Sequence, residues 1–237
     1  MAGTFSDAVD SLAAMGGRES ELWRPVLDVI PVEGAAISTI AEFLGAETVS
    51  ASGRLAARLD ELQFDLGEGP CWDAMREQHV ILEPDIRSRP HREWPAFSRA
   101  IAEHDVGAIF AFPLVFGPLQ LGAMDLYSGS ARELSAAEER HGGALASVIS
   151  RLVLDRAIRR VEDPDVLFAE DRFSRRLIHQ ATGMVLAQLD ISAEDARLLI
   201  QGHAFAMNRP MRDVAEAILE RRLDFSVQPG GFVSSDD

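Results

Sequence analysis

Six histidines, at positions 79, 91, 104, 141, 179 and 203, and one cysteine, Cys71, are the side chains most readily put to catalytic or metal-binding use. No two of these histidines stand as His-x-His or His-Glu-x-x-His, so the sequence holds no zinc-binding helix of that type. A lone cysteine excludes an internal disulfide and a four-thiolate metal site. Gly67-x-Gly69 runs into Pro70 between two helical patterns instead of following a strand, so it reads as a turn and not as a phosphate cradle. No local spacing marks a nucleophile with its base, and the expectation is a protein that is not an enzyme. Cys71 follows Pro70 at a predicted helix start and has two readings. One is a thiol with a lowered pKa, suited to sensing oxidants or NO; the other is a buried small apolar residue.

A second chemistry lies nearer the C-terminus. Arg172, Arg175, Arg176 and His179 fall within two turns of a helical pattern, with Thr182 and Gly183 on the face of Arg175 and His179. Arg209 and Arg212 stand together at the start of a later helix. Guanidinium groups donate to phosphate in pairs, and guanidinium planes and imidazole rings stack on unpaired bases. Gly183 reads either as a place where a backbone or base approaches the helix, or as a close helix–helix contact. Each arginine alone reads as a solvated charge; together they are the candidate contacts to nucleic acid.

The charge distribution sharpens that reading. The chain carries a net charge of −15, which argues against general adhesion to nucleic acid. From Asp171 to Phe225, however, eight Arg face eight Asp and Glu, so the remainder carries the whole deficit. All 23 basic residues are Arg. A neutral module on an acidic body separates functions by region.

Three helical patterns position these groups. Leu177, Ile178, Ala181, Val185 and Leu189 recur at three- and four-residue steps. Ser192 followed by Asp195 reads as an N-cap with an acid at N3, opening a second helix that buries Ala196, Leu199, Ile200 and Ala204, with His203 on its apolar side. Asn208-Arg209-Pro210 stops that helix and starts a third, which carries Met211, Val214, Ala215, Ile218 and Leu219. Three amphipathic helices with tight connections predict a small bundle.

Upstream, helical spacing covers residues near Phe5–Met15 and Glu19–Ile30, separated by Gly16-Gly17. Residues 34–43 and 47–52 suit strands, with a turn at Leu44-Gly45-Ala46. Helices are expected at 54–64, 71–77 and 97–104, a buried strand at Val80-Ile81-Leu82, and loops around Pro84, Pro90 and Pro95. The run AIFAFPLVF after Gly107 reads as a central strand, although Pro113 donates no ladder bond, so a bulge or an unpaired donor position is required there. Gly117-Pro118 turns the chain into a second buried strand ending at Tyr127, and Ser135 with Glu138 caps a long helix reaching about Val161. Irregularly mixed strands and helices with two adjacent antiparallel strands predict an α+β domain, helices covering an antiparallel sheet. In the long helix, Leu145, Val148, Ile149, Leu152 and Val153 have heptad-like spacing, read either as a seam that pairs two copies or as a terminal helix on its own sheet. Asp163-Pro164-Asp165 interrupts it as a hinge. No run of 18 apolar residues exists and the N-terminus lacks a basic region before its apolar residues, so neither a membrane span nor a secretory signal is expected, and the expected location is cytoplasmic.

The stretch Phe173–Phe225 resembles the ANTAR family of RNA-binding transcription antiterminators. The resemblance rests on Arg175-x-x-Ile178-x-x-Ala181-x-Gly183, on Ala204-Phe205 with Asn208-Arg209-Pro210, and on Met211-Arg212-Asp213-Val214-Ala215. It departs from the family at Thr182, where members typically have Lys, and at Gln201 and Gly202, where they often have Arg. Residues of roughly 20–160 resemble a GAF domain of the type that precedes ANTAR modules. Leu66-Gly67-Glu68-Gly69-Pro70-Cys71, Asp85, Trp94-Pro95-Phe97, Phe112-Pro113-Leu114 and Leu121-Gly122-Ala123-Met124-Asp125-Leu126-Tyr127 carry that match. The resemblance implies a five- or six-stranded antiparallel sheet acting as a ligand or redox sensor, followed by a three-helix ANTAR bundle.

The expected organisation is an N-terminal helical segment 1–19, a GAF-like sensor 20–162, a hinge and connecting helix 163–170, an ANTAR output 171–226 and a flexible tail 227–237. The implied function is signal-responsive antitermination by a homodimer that binds RNA hairpins in nascent transcripts through Arg175, Arg176, His179, Thr182, Gly183, Arg209 and Arg212. The alternatives are a dimeric interaction protein with weakened or lost RNA binding, and DNA binding by a helix-turn-helix variant. A small-molecule pocket in the sensor would draw on Cys71, Trp72, Trp94, Phe97, Phe110, Phe112 and Phe116; the same aromatics also read as the core of a collapsed domain. The sequence names no cofactor. Cyclic-nucleotide-binding members carry an Asn-Lys…Phe…Asp-Glu signature, whereas this chain has no Lys and its single Asn is Asn208. GAF-like methionine sulfoxide reductases use a cysteine with resolving partners, which Cys71 lacks within one chain.

Overall fold

The computed structural model describes residues 4–15, 19–40, 46–88, 93–162, 176–207 and 209–226, with backbone only at 160–162 and 176. The chain divides into two compact units between Phe173 and Ser174. The Gly16-Gly17 break, Leu44-Gly45, Pro90, His91, the 163–170 hinge, Arg172, Arg175, Asn208 and the 227–237 tail lie outside the described residues.

The first unit is built on a five-stranded sheet of order β2-β1-β5-β4-β3. Its strands are β1 (Gly34–Thr39), β2 (Glu47–Ala51), β3 (Ile81–Glu83), β4 (Ala108–Phe116) and β5 (Leu119–Ser128), and every neighbouring pair is antiparallel. β4 and β5 form a hairpin whose turn needs the positive φ of Gly117. The proline conflict resolves at the end of β3. That strand pairs with β4 only from Ile109 to Ala111, so Pro113 lies where β4 has a strand on one side alone, and its missing donor breaks no ladder bond.

The pleat sends alternate residues to opposite faces. Ala35, Ile37, Phe110, Phe112, Leu114, Met124 and Leu126 form one core with α1 (Phe5–Ala13), α2 (Trp23–Val29) and α6 (Ala136–Glu162). Ile109, Ile81 and Tyr127 face the other way, toward α3 (Arg54–Leu66), α4 (Pro70–Glu77) and α5 (Pro95–Ile101). Capping boxes open two of the outer helices. Thr4 and Asp7 exchange bonds at α1, and Ser135 and Glu138 do so at α6, where Ser135 N donates to Glu138 Oε2 at 2.7 Å.

The heptad-like residues of α6 do not form a free seam. Leu145, Ile149 and Val153 are buried in the core of their own sheet, and Val148 and Leu152 pack partly against it. Arg156 pairs with Glu47 of β2, and Arg159 with Glu19 at 2.8 Å, tying the C-terminal half of the helix to its own unit. The sequence spacing was compatible with both arrangements because a sheet and a partner helix ask for the same apolar period.

The second unit contains α7 (Arg176–Leu189), α8 (Ala193–Ala206) and α9 (Met211–Leu219). Asp190 ends α7 in the left-handed region at φ 54°, and Ser192 Oγ accepts from Asp195 N at 3.0 Å to start α8. Pro210 takes the N-cap position of α9. Ile178, Ala181, Val185, Ala196, Ile200, Ala204, Met211, Val214, Ala215 and Ile218 make a single core, with Leu199 at its half-buried edge. Phe225 closes that core and meets His203 edge-on, ring centroids 5.5 Å apart.

Candidate sensor cluster and candidate nucleic-acid interface

In the first unit, the glycine-rich segment after α3 organises the layer of helices above the sheet. Gly67 is the left-handed C-cap of α3 (φ 67°). Glu68 reaches across and accepts from Phe97 N at 2.7 Å, satisfying an orphan donor at the start of α5. Gly69 has φ 130°, and a Cβ there would stand 2.7 Å from Gln63, so both conformation and space require glycine. Pro70 fits the first turn of α4.

Gln63, fully buried, is the centre of this layer. Its Oε1 accepts from Cys71 N at 2.8 Å and its Nε2 donates to Asp125 Oδ2 at 2.5 Å, while its backbone oxygen accepts from Trp72 Nε1 at 2.7 Å. Helix α3, helix α4 and strand β5 therefore meet at one amide. Asp125 is raised from its ordinary pKa of 3.8 to about 8, first by burial and then by the nearby charge of Asp60, against the lowering effect of the Gln63 bond. Its Oδ1 has no hydrogen bond among the described residues. Asp60 in turn accepts from Thr48 Oγ1. Trp94 Nε1 donates to Asp73 Oδ2 at 2.7 Å, pinning the start of α5 to α4.

The seven residues expected to line a sensor pocket do not share one chamber. Cys71, Trp72, Trp94 and Phe97 belong to the α3–α4–α5 side. Phe110 and Phe112 are fully buried on the opposite face, where Phe112 packs so closely under α6 that a Cβ at Gly142 would stand 2.4 Å from its ring. The expectation of a pocket lined by all seven is corrected to two separate packing sites, with Phe116 exposed at the end of β4. An open cavity of about 360 Å³ lies elsewhere, lined by Glu83, Pro84, Asp85, Ala131, Arg132 and Glu133. No group of acidic, His and Cys side chains among the described residues is arranged to hold a metal ion. Sequence reasoning passed over Gln63 and used Asp125 only as part of a motif. The readable signal was a carboxylate inside the otherwise apolar strand LGAMDLY.

In the second unit, His179 and Gly183 are exposed one turn apart on the outer face of α7. A Cβ at Gly183 would meet nothing within 4 Å, so helix–helix packing among the described residues does not account for the glycine. Thr182 is half-buried, and its hydroxyl donates to Ile178 O at 2.7 Å, so it faces its own helix. Arg176 lies in the first turn of α7, and Arg175 lies outside the described residues. Arg209 and Arg212 are exposed at the α8–α9 junction, Arg212 Nε standing 3.4 Å from Glu216. Arg221, exposed after α9, is a further cation that sequence reasoning did not single out.

Comparison with known proteins agrees with this division. The GAF domain family matches residues 18–153 and the ANTAR domain family matches residues 170–219. No curated protein sequence matches the chain. Among solved structures, the GAF domain of a phosphoenolpyruvate-protein phosphotransferase from Coxiella burnetii is similar with a TM-score of 0.51 at 13% identity, covering 67% of this chain and 95% of that one. The corresponding GAF domain from Acinetobacter gives a TM-score of 0.50 at 12% identity, covering 65% and 92%. At such identities the likeness concerns fold alone. No described helix is long and apolar enough to cross a membrane. At the level of families, the pairing joins a sensor-type domain to an RNA-binding regulatory module. The chain belongs to the GAF domain family and carries an ANTAR domain after its GAF domain.

Proposed function

We propose that the protein is a signal-responsive, non-enzymatic RNA-binding antitermination regulator, in which the GAF unit controls the ANTAR unit. The observation that carries this reading is the outer surface of the ANTAR-matched unit, where His179 and the unfilled Gly183 lie exposed on α7 and Arg209 and Arg212 are exposed at the next junction. An uncovered helix backbone at Gly183 lets a nucleotide approach closely. His179 offers a ring for stacking, and the arginines offer donors to phosphate. Unpaired hairpin-loop bases in nascent transcripts suit these groups better than a duplex, whose A-form groove hides its base edges. Arg175 and Arg176 add two guanidinium groups in sequence just before and at the first residue of α7. A homodimer presenting two such units would let each bind weakly. The GAF unit is the part that would take a small-molecule ligand.

A second reading, an interaction protein with weakened RNA binding, draws on Thr182 turned to its own backbone and on Arg212 near Glu216. Binding of the full chain to a two-hairpin RNA and to a duplex of equal length, across a salt series, separates the two. Arg209→Ala with Arg212→Ala should weaken hairpin binding, lower the salt slope by about one for each phosphate no longer neutralised, and leave the melting temperature unchanged. Equal affinity for duplex and hairpins, or no hairpin binding even at low salt, would remove the RNA reading.

A further inference from the structure

Helix α8 carries apolar groups on the side turned away from its core. Ala196, Ile200 and Ala204 face inward, whereas Leu198 is 49% and Phe205 61% exposed, two turns apart on the outer face. Gly202 lies between them and is exposed, and a Cβ there would meet nothing within 4 Å. Glycine in a helix interior is a destabilising choice, and no packing among the described residues asks for it. A surface helix is expected to be polar on this side.

Across this face and just beyond its end, residues pair off about a midpoint. Taken about the point between Gln201 and Gly202, Leu198 stands opposite Phe205 and Glu194 opposite Arg209. Glu194 and Asp195 are exposed at the N-terminal end. Arg209 is exposed at the C-terminal end, its amide bonded to Ala204 O at 2.9 Å. A face with apolar residues in the middle and opposite charges at its two ends is complementary to itself when turned around, the condition for a two-fold contact.

We propose that the outer face of α8 is an interface between two copies of this chain, the helices antiparallel about a two-fold axis passing between Gln201 and Gly202. In that arrangement Leu198 of each copy packs on Phe205 of the other, and the absent side chain at Gly202 lets the helices approach at their crossing. The acidic start of each helix meets Arg209 of the other copy. An RNA strand following the same face would run its phosphates onto Glu194 and Asp195, which is why a second copy is the occupant. Two apolar side chains and one ion pair from each copy make a small contact, so it is weak and concentration-dependent. It uses none of the α7 residues and shares Arg209 alone with the proposed RNA surface, so Leu198, Gly202 and Phe205 report on it separately.

Disulfide trapping in the full chain tests it. Cys71→Ala removes the only native thiol, and a disulfide forms only where Cα atoms come within roughly 4.4–6.8 Å. Gly202→Cys, next to the axis, should give a covalent dimer about tenfold faster than Ala206→Cys on a neighbouring exposed face. Leu198→Cys and Phe205→Cys, each alone, should crosslink slowly, and a mixture of the two proteins should crosslink fast. Unchanged circular dichroism shows that the variants fold. Equal rates at positions 202 and 206, or a mixture no faster than its components, would overturn the proposal. Flat crosslinking combined with weaker RNA binding by Phe205→Ala would assign the face to RNA instead.

Discussion

In the GAF unit the polar side chains at the end of α3 and in the glycine-rich segment after it point inward, Gln63 onto Cys71 and Asp125 and Glu68 onto an amide of α5. In the ANTAR unit the groups of interest point outward: His179, Gly183, Arg209 and Arg212 all lie exposed, over a core made of aliphatic residues and Phe225. One unit uses its polar groups to hold helices to a sheet, while the other holds itself by apolar packing and carries its polar groups on the surface. A motif residue in the first should therefore cost stability when changed, and one in the second should cost binding.

The largest effect expected from this contrast is at Phe112. Phe112→Ala empties the space beneath Gly142 and should destabilise the GAF unit by about 3–5 kcal/mol in urea unfolding, whereas Arg212→Ala should stay within about 0.5 kcal/mol. Comparable losses at the two positions would break the contrast.

Asp125 sharpens it through pH. The folded acid holds its proton up to about 8, whereas an unfolded Asp releases it near its ordinary value of 3.8. The stability contributed by the neutral acid is thus complete below that ordinary value and is lost as pH rises toward the folded value, at up to about 1.4 kcal/mol per pH unit. Asp125→Asn keeps an acceptor for Gln63 but cannot ionise, so its stability should vary less between about pH 4 and pH 8. A wild-type stability that rises across the same window would show that Asp125 is ionised when folded.

The smallest effect should have opposite signs in the two assays. Gly183→Ala adds a methyl group to open space on α7 and should stabilise the ANTAR unit by about 1 kcal/mol, while weakening RNA binding. Improved stability with unchanged RNA affinity would take Gly183 out of the contact surface.

Much of the helical unit was legible because its signals are local. Ser192 and Asp195 are three residues apart, the apolar period runs along each helix, and the break before α9 is written as Arg209-Pro210. The sheet was legible as strands but not as faces. In AIFAFPLVF both faces are apolar, so alternation gave no hint that Phe110 and Phe112 turn away from Cys71 and Trp94. In α6, Leu145, Ile149 and Val153 report that the helix buries a side but not what covers it. The Gln63–Asp125 bond joins residues 62 apart in sequence, and no short-range pattern encodes such a pairing. The outward Leu198 and Phe205 were hidden by the same averaging, since α8 is apolar on two sides and its period is correspondingly blurred.

The protonated carboxyl of Asp125 gives the GAF unit a built-in spectroscopic label. A neutral carboxylic acid absorbs in the infrared as a carbonyl, apart from the bands of ionised carboxylates, and its frequency depends on the hydrogen bonds it makes. Because this carboxyl sits where α3, α4 and β5 meet, a molecule entering that layer would shift its band or bleach it by ionisation. Difference infrared spectra, with Asp125→Asn to assign the band, would let candidate signals be screened against the unmodified protein.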